Sequence, residues 1–414
     1  MRLLYSLGIY LYGLLLRLVA PFHSKAKLWV DGRRDWYAYM SQTVETGQKH
    51  IWFHFASLGE FEQGRAVLES IKKDFPTKKI VITFYSPSGY EVRKNTNLAD
   101  YVFYLPDDTA KNAKLFIDLI NPDFVVFTKY EYWYHYFSEL QNRQIPLLMI
   151  SAIFRPDQIF FQSYGGFFRK ILSAVTYFFM QNEESVHLLK EHGFRNVGLT
   201  GDTRFDRVVE LPKQLRRITE VVQFVGESPV LVAGSTWLED EQILKEIMLI
   251  FPKWKLILAP HEIHDAHIKS ILELFPDALQ FSNYPSYADQ KIIDSQVLII
   301  DNIGMLSSLY GYGKIAYIGG GFGVGIHNTL EAATYGVPVI FGPKYHKFQE
   351  AKDLIEQGAG FSIHNREELI KVFTCLQDNV KREYAGKQAK QYVQQHAGAT
   401  AIIMKYLYSS KLLK

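Results

Sequence analysis

A chain of 414 residues that is 48% apolar and 21% charged, with a formal net charge of +3, is too apolar to stay disordered and too nearly neutral to coat a nucleic acid. Its length exceeds one comfortable core and suits two domains. Cys375 is the sole cysteine, which excludes an internal disulfide framework or a cysteine-based zinc site and fits a reducing compartment.

The first 22 residues, MRLLYSLGIYLYGLLLRLVAPF, carry no charge between Leu3 and Leu16, a run shorter than the roughly 20 apolar residues of a spanning helix. Arg17 interrupts it. Tyr5, Tyr10 and Tyr12, with Arg2, Arg17, Lys25 and Lys27 flanking, suit a retained anchor that lies in a membrane interface or marginally spans it. From residue 51, short apolar runs bounded by turn residues (IWFHF, KIVITFY, DYVFYLP, DFVVFT, PLLMISA, YFFMQN) alternate with helical patterns such as EQGRAVLESIKKDF and TAKNAKLFIDLI. Runs of this kind are strands buried on both faces of a parallel sheet. Asp107, Asp108 and Thr109 read as a helix-capping cluster.

The rhythm restarts with PVLVAGS, WKLILAP, QVLIID, KIAYIGG and VPVIFGP. Two Rossmann-like doubly wound domains are therefore expected, over residues 23–205 and 206–414 after an anchor at 1–22, with a linker near 201–215 and a last helix that packs back on the first domain. Ligands of such sheets sit beyond the C-terminal strand ends, so the two domains are expected to face an interdomain cleft.

Three strand-end loops carry chemistry. In YIGGGFGVGIHNTLEAATYGVPVIFGP, Gly319, Gly320 and Gly321 admit backbone close to an anion ahead of a helix expected near Asn328, with His327 at its mouth and Glu331 one turn in. Ser235 and Thr236 in GSTW read as helix-capping hydroxyls that offer a phosphate site. His261 and His264 lack a third ligand beside them, so phosphate or substrate contact is favoured over a metal. In ASLGEFE, Ser57 and Gly59 clear space around Glu60. A carboxylate there repels phosphate, and the helix N-terminus is expected to hold its pKa down; within reach of an acceptor hydroxyl it is a general base. Glu131 and Lys129, in TKYEYWYHY, form a second candidate pair.

Together these motifs resemble the 3-deoxy-D-manno-oct-2-ulosonic acid (Kdo) transferases, inverting glycosyltransferases of the two-Rossmann GT-B fold. The match runs over almost the whole chain: an N-terminal anchor, an S-x-G-E turn at Ser57 to Glu60, GSTW, and GG…HN…E…GVPV.FGP. The family's glutamate-threonine-glutamate-leucine-tryptophan segment is Lys129 to Trp133 here, with Lys129 in place of the first glutamate. Its N-A-R-L-S stretch is Ser151-Ala152-Ile153-Phe154-Arg155, and its R-H-P is Pro260-His261-Glu262.

The resemblance implies transfer of Kdo from CMP-Kdo to a lipid A precursor at the cytoplasmic face of the bacterial inner membrane. With a single leaving phosphate, helix dipoles can replace a divalent metal, so no metal or other cofactor is expected, and the near-neutral charge argues against a nucleic-acid partner. The resemblance also implies Glu60 as catalytic base; Ser57, Gly59, Lys129, Glu131 and Arg155 on the acceptor side; and Ser235, Thr236, His261, Gly319, Gly320, Gly321, His327, Asn328 and Glu331 on the donor side. Arg33 and Arg34 are candidates for the acceptor's phosphates. Two rival readings are a GT-B transferase with a UDP-sugar and a polyprenyl-linked acceptor, and a non-catalytic sugar-nucleotide-binding envelope protein.

Overall fold

The computed structural model describes residues 1–214 and 217–413. Leu215, at the end of the expected linker, lies outside the described residues. The chain forms two compact units: Met1–Arg207 with Ala397–Lys414, and Val208–His396.

The first unit is built on strands β1 (His50–Phe55), β2 (Lys79–Phe84), β3 (Tyr101–Tyr104), β4 (Pro122–Thr128), β5 (Leu147–Ala152), β6 (Tyr177–Met180) and β7 (Val197–Leu199). They pair in parallel in the order β3-β2-β1-β4-β5-β6-β7. All six residues of β1 are buried, because helices cover both faces and each side chain of the pleat meets a core. Trp52, Phe116, Phe127 and Tyr136 pack on one face. Phe53, Phe55, Phe61 and Phe84 pack on the other, together with Ile403, Met404 and Leu407 of the last helix, Ala399–Ser409. That helix belongs to the first unit because Asp206 caps it, accepting from the amides of Gly398 at 2.5 Å and Thr400 at 2.7 Å.

The second sheet comprises β8 (Val230–Thr236), β9 (Lys255–Pro260), β10 (Leu279–Gln280), β11 (Val297–Ile299), β12 (Ile315–Ile318), β13 (Val339–Phe341) and β14 (Gly360–Ser362), ordered β10-β11-β9-β8-β12-β13-β14. Both sheets reverse strand order once, between β1 and β4 in the first and between β8 and β12 in the second. Such switch points splay successive loops apart and leave a crevice for ligand. The loops beyond these four strands are ASLGE, KYEYW, STW and the glycine run.

Helix α1 (Arg2–Val19) is long and apolar enough to cross a membrane, yet only Gly13 in it is buried. Its inner face is tied down along its length. Tyr5 donates to Asp108 at 2.5 Å, Ser6 meets His135 Nε2 at 2.9 Å, the Tyr12 ring lies edge-on to Trp29, and Arg17 pairs with Asp107 at 3.6 Å. Leu3, Leu4, Leu7, Leu11, Leu14, Leu15 and Leu18 point away and are exposed.

Candidate active site

Helix Leu58–Asp74 begins directly after β1, with Ser57 at its N-cap; the Ser57 hydroxyl makes no capping bond. Glu60 folds back instead, and its Oε2 accepts from the Ala56 amide at 2.5 Å. A Cβ added at Gly59 would meet only Ser57 Oγ, at 3.9 Å, so the turn is open there. Glu60 itself is 9% exposed. Burial, followed by the charge of Glu131, pushes its pKa up from 4.5 to about 7, against the smaller opposing pulls of the Ala56 amide and Lys129. The expectation of a depressed pKa is thus reversed: desolvation of a carboxylate outweighs one amide and a helix end.

β4 delivers the partner loop. Lys129 adopts φ 69°, and Ser151 and Ser235, at the ends of β5 and β8, adopt 48° and 55°. Non-glycine residues seldom occupy this region, and such strain gathers where a loop is held for function. The Lys129 ammonium sits 5.1 Å over the Tyr130 ring, Glu131 turns back toward β1, and Trp133 packs against Tyr85. Arg155 is exposed in the loop after β5.

Two sequence expectations need correction in this unit. Thr109 alone caps its own helix, accepting from Asn112 N. Asp108 accepts from the amides of His135 at 3.1 Å and Tyr136 at 3.0 Å, capping helix Tyr134–Asn142 from across the fold. Arg33 is not free to meet a phosphate. It donates to the carbonyls of Leu105, Tyr85 and Trp29, approaches Asp107 at 3.7 Å and lies 4.0 Å over the Trp29 ring. Burial lowers its pKa to about 10. Arg34 is exposed and pairs with the exposed Asp31 at 3.1 Å, a surface pair.

In the second unit the Gly319 amide donates to Gly234 O and the Gly320 amide to Asp240, so neither is offered to an anion. A Cβ at Gly319 would strike the backbone of Ser235 at 2.3 Å, and one at Gly321 would strike Gly342 at 2.6 Å; close packing requires these glycines. Helix Leu330–Ala333 is a single turn, two residues later than expected, so its dipole is small. Asn328 prepares that turn, accepting from Leu330 N and donating to Glu331 at 3.0 Å. Thr236 does not cap the next helix, because its hydroxyl is held by Glu241 at 3.0 Å; the N-cap of Leu238–Ile250 is Trp237. Ser235 is half-buried beside it.

Polar and aromatic side chains gather around these glycines. Trp237 stacks on His261 with centroids 4.7 Å apart, and His261 stacks on His327 at 4.5 Å. Burial and the neighbouring His261 lower the His327 pKa to about 4, so the ring is neutral and its buried Nε2 has no hydrogen-bond partner among the described residues. Lys344 donates to Gly323 O at 2.6 Å and brings a cation to the glycine turn. His264 caps helix Asp265–Leu274 through Nδ1, apart from this stack. Trp237 and Lys344 were missed in the sequence, although both follow strand ends.

Residues 31–207 match the family model described as 3-deoxy-D-manno-octulosonic-acid transferase (kdotransferase). A protein of Aquifex aeolicus (strain VF5) named 3-deoxy-D-manno-octulosonic acid transferase is 30% identical over 353 residues, covering 83% of this chain and 90% of that protein. One of the same name from Rickettsia bellii (strain RML369-C) is 28% identical over 349 residues, 82% of each. Among solved structures, the S. aureus MnaA-UDP co-structure aligns with TM-score 0.57 at 13% identity, over 88% of this chain and 98% of that one, a likeness of fold alone. The paired Rossmann-like units are those of GT-B glycosyltransferases, and with a relative this similar over nearly its whole length the chain belongs to the 3-deoxy-D-manno-octulosonic acid transferase family.

Proposed function

We propose that the protein transfers Kdo from CMP-Kdo to a sugar hydroxyl of a lipid A precursor in one inverting displacement. Glu60 removes the hydroxyl proton as the oxygen attacks the anomeric carbon. The bond from that carbon to the CMP phosphate breaks, and CMP leaves with the electron pair. The observation that carries this reading is a carboxylate in an open strand-end turn with its pKa raised to about 7, the range in which a base is both deprotonated at neutral pH and strong enough to act. Lys129, Glu131, Ser57, Gly59 and Arg155 belong to the acceptor side of this proposal.

The donor side is assigned to Ser235, His261, His327, Asn328 and Glu331, with Thr236 and Gly319 to Gly321 shaping the loop and Lys344 added as a cation. A single leaving phosphate needs only local donors and cations to take up its charge, so transfer is expected to persist in excess EDTA; loss restored only by divalent cation would refute that. The exposed leucines of α1 fit a membrane interface, and the tethers from Tyr5 to Arg17 favour a helix lying in that interface; the inner membrane's cytoplasmic face is part of the proposal. The UDP-sugar reading is not favoured, because the Aquifex aeolicus and Rickettsia bellii relatives carry the Kdo transferase name. Mass spectrometry of products from CMP-Kdo and a defined lipid A precursor, against a panel of UDP-sugars, tests the whole proposal.

A further inference from the structure

Beneath the two carboxylates lies a histidine that the reaction, as described, does not use. His54 is fully buried in β1, between Thr83 of β2 and Phe127 of β4, which pair with it in register. The Trp52 indole donates to Thr83 Oγ1 at 2.8 Å, which leaves that hydroxyl one hydrogen to give. His54 Nδ1 is 2.8 Å from it, whereas the Phe53 carbonyl is 3.5 Å away. The hydrogen therefore goes to Nδ1, and the ring proton is placed on Nε2.

Nε2 points at Glu131 Oε2, 3.6 Å away. Both atoms are buried without any other hydrogen-bond partner among the described residues. At that distance they are just short of a hydrogen bond, the loose geometry that catalytic contacts often have before substrate binds. Burial is the largest influence on the His54 pKa and lowers it, with Arg33 adding to the fall and Glu131 and Thr83 opposing it; the ring thus meets Glu131 as a neutral donor. The charged groups that bear on Glu60 are Glu131 and Lys129.

We infer that His54 is a positioning residue: its Nε2–H orients the Glu131 carboxylate, so that Glu131 keeps its place facing Glu60. The chain Trp52–Thr83–His54–Glu131–Glu60 would make the first strand a support that sets the strength of the base. This rests on Glu60 being that base. Without the His54 donor, Glu131 Oε2 loses the one donor that faces it among the described residues and the carboxylate is free to turn away; the repulsion on Glu60 then falls, and Glu60 becomes a weaker base that ionises at lower pH.

The test is the pH profile of kcat for Kdo transfer by the full chain. His54→Leu is expected to move the acid limb down by about one pH unit, the scale of a lost like-charge neighbour, and to lower the plateau several-fold. His54→Gln, whose amide can place N–H near the Nε2 position, should restore most of both. Glu131→Gln, which removes the charge without touching the strand, should move the limb in the same direction and decides the matter if His54→Leu does not fold. An acid limb unmoved in Glu131→Gln, or His54→Leu and His54→Gln behaving alike, would overturn the inference. If Glu60 were not the base, the wild-type acid limb itself would survive Glu60→Gln, so the two failures are distinguishable.

Discussion

The amide of Ala56 donates to the Glu60 carboxylate at 2.5 Å, so one oxygen of the proposed base also closes the first turn of its own helix. That double duty separates stability from catalysis. Glutamine keeps an acceptor for Ala56 but carries no charge. Because the folded-state pKa of about 7 lies above the ordinary 4.5, the folded protein holds a proton that the unfolded chain releases as pH rises through that window. Stability therefore falls between those two values, and the cost is fully present above pH 7, on the order of 3 kcal/mol. Glu60→Gln is expected to raise the urea midpoint at pH 8 and to leave it nearly unchanged at pH 4. A variant less stable than wild type at pH 8 would show that the carboxylate is not strained.

The stack of Trp237, His261 and His327 makes a flat platform beside the glycine turn. If it holds the donor, His261→Ala should raise KM for CMP-Kdo by about 10-fold or more, in line with roughly 1–3 kcal/mol for one stacked contact, while kcat falls less. Steady-state kinetics with varied CMP-Kdo would check this. A KM unchanged in both His261→Ala and Trp237→Ala would remove the platform from the donor site.

Leu11 and Leu15 are both more than half exposed on the outer face of α1. Glutamate at both positions should weaken binding to anionic vesicles by about 30- to 150-fold, from lost burial of roughly 1–1.5 kcal/mol per leucine in an interface. Co-sedimentation reads the change. The inner face stays docked through Tyr5 and Arg17, so the melting temperature should hold; unchanged vesicle binding would mean that another surface makes the attachment.

Strand positions with strong patterns were legible from residues alone, and the unread strands explain themselves. β7, β10 and β14 have three, two and three residues and lie at sheet edges, and none carries the continuous apolar run that marked the equally short β11 and β13. Glu60 stood out in the sequence because a bare carboxylate in a small-residue turn is unusual. The direction of its pKa did not, since that depends on how far Glu131 and the core close around it. His54 was invisible for the opposite reason: in IWFHF it reads as one more strand core residue, and only the register with Thr83 and the return of Glu131 give its ring a direction. The glycine turn misled in a third way. Its composition suggested amides free for an anion, but whether Gly319 and Gly320 keep theirs free is decided by Gly234 and Asp240, some 80 residues away in sequence.

The central claim is that Glu60 takes the acceptor proton. The most direct measurement is the turnover of Glu60→Gln with CMP-Kdo and a lipid A precursor, made alongside CMP binding to the same preparation. Loss of about 10²- to 10⁴-fold in kcat, the usual contribution of a general base, with CMP binding retained, is the expected result. Turnover within two-fold of wild type would contradict it.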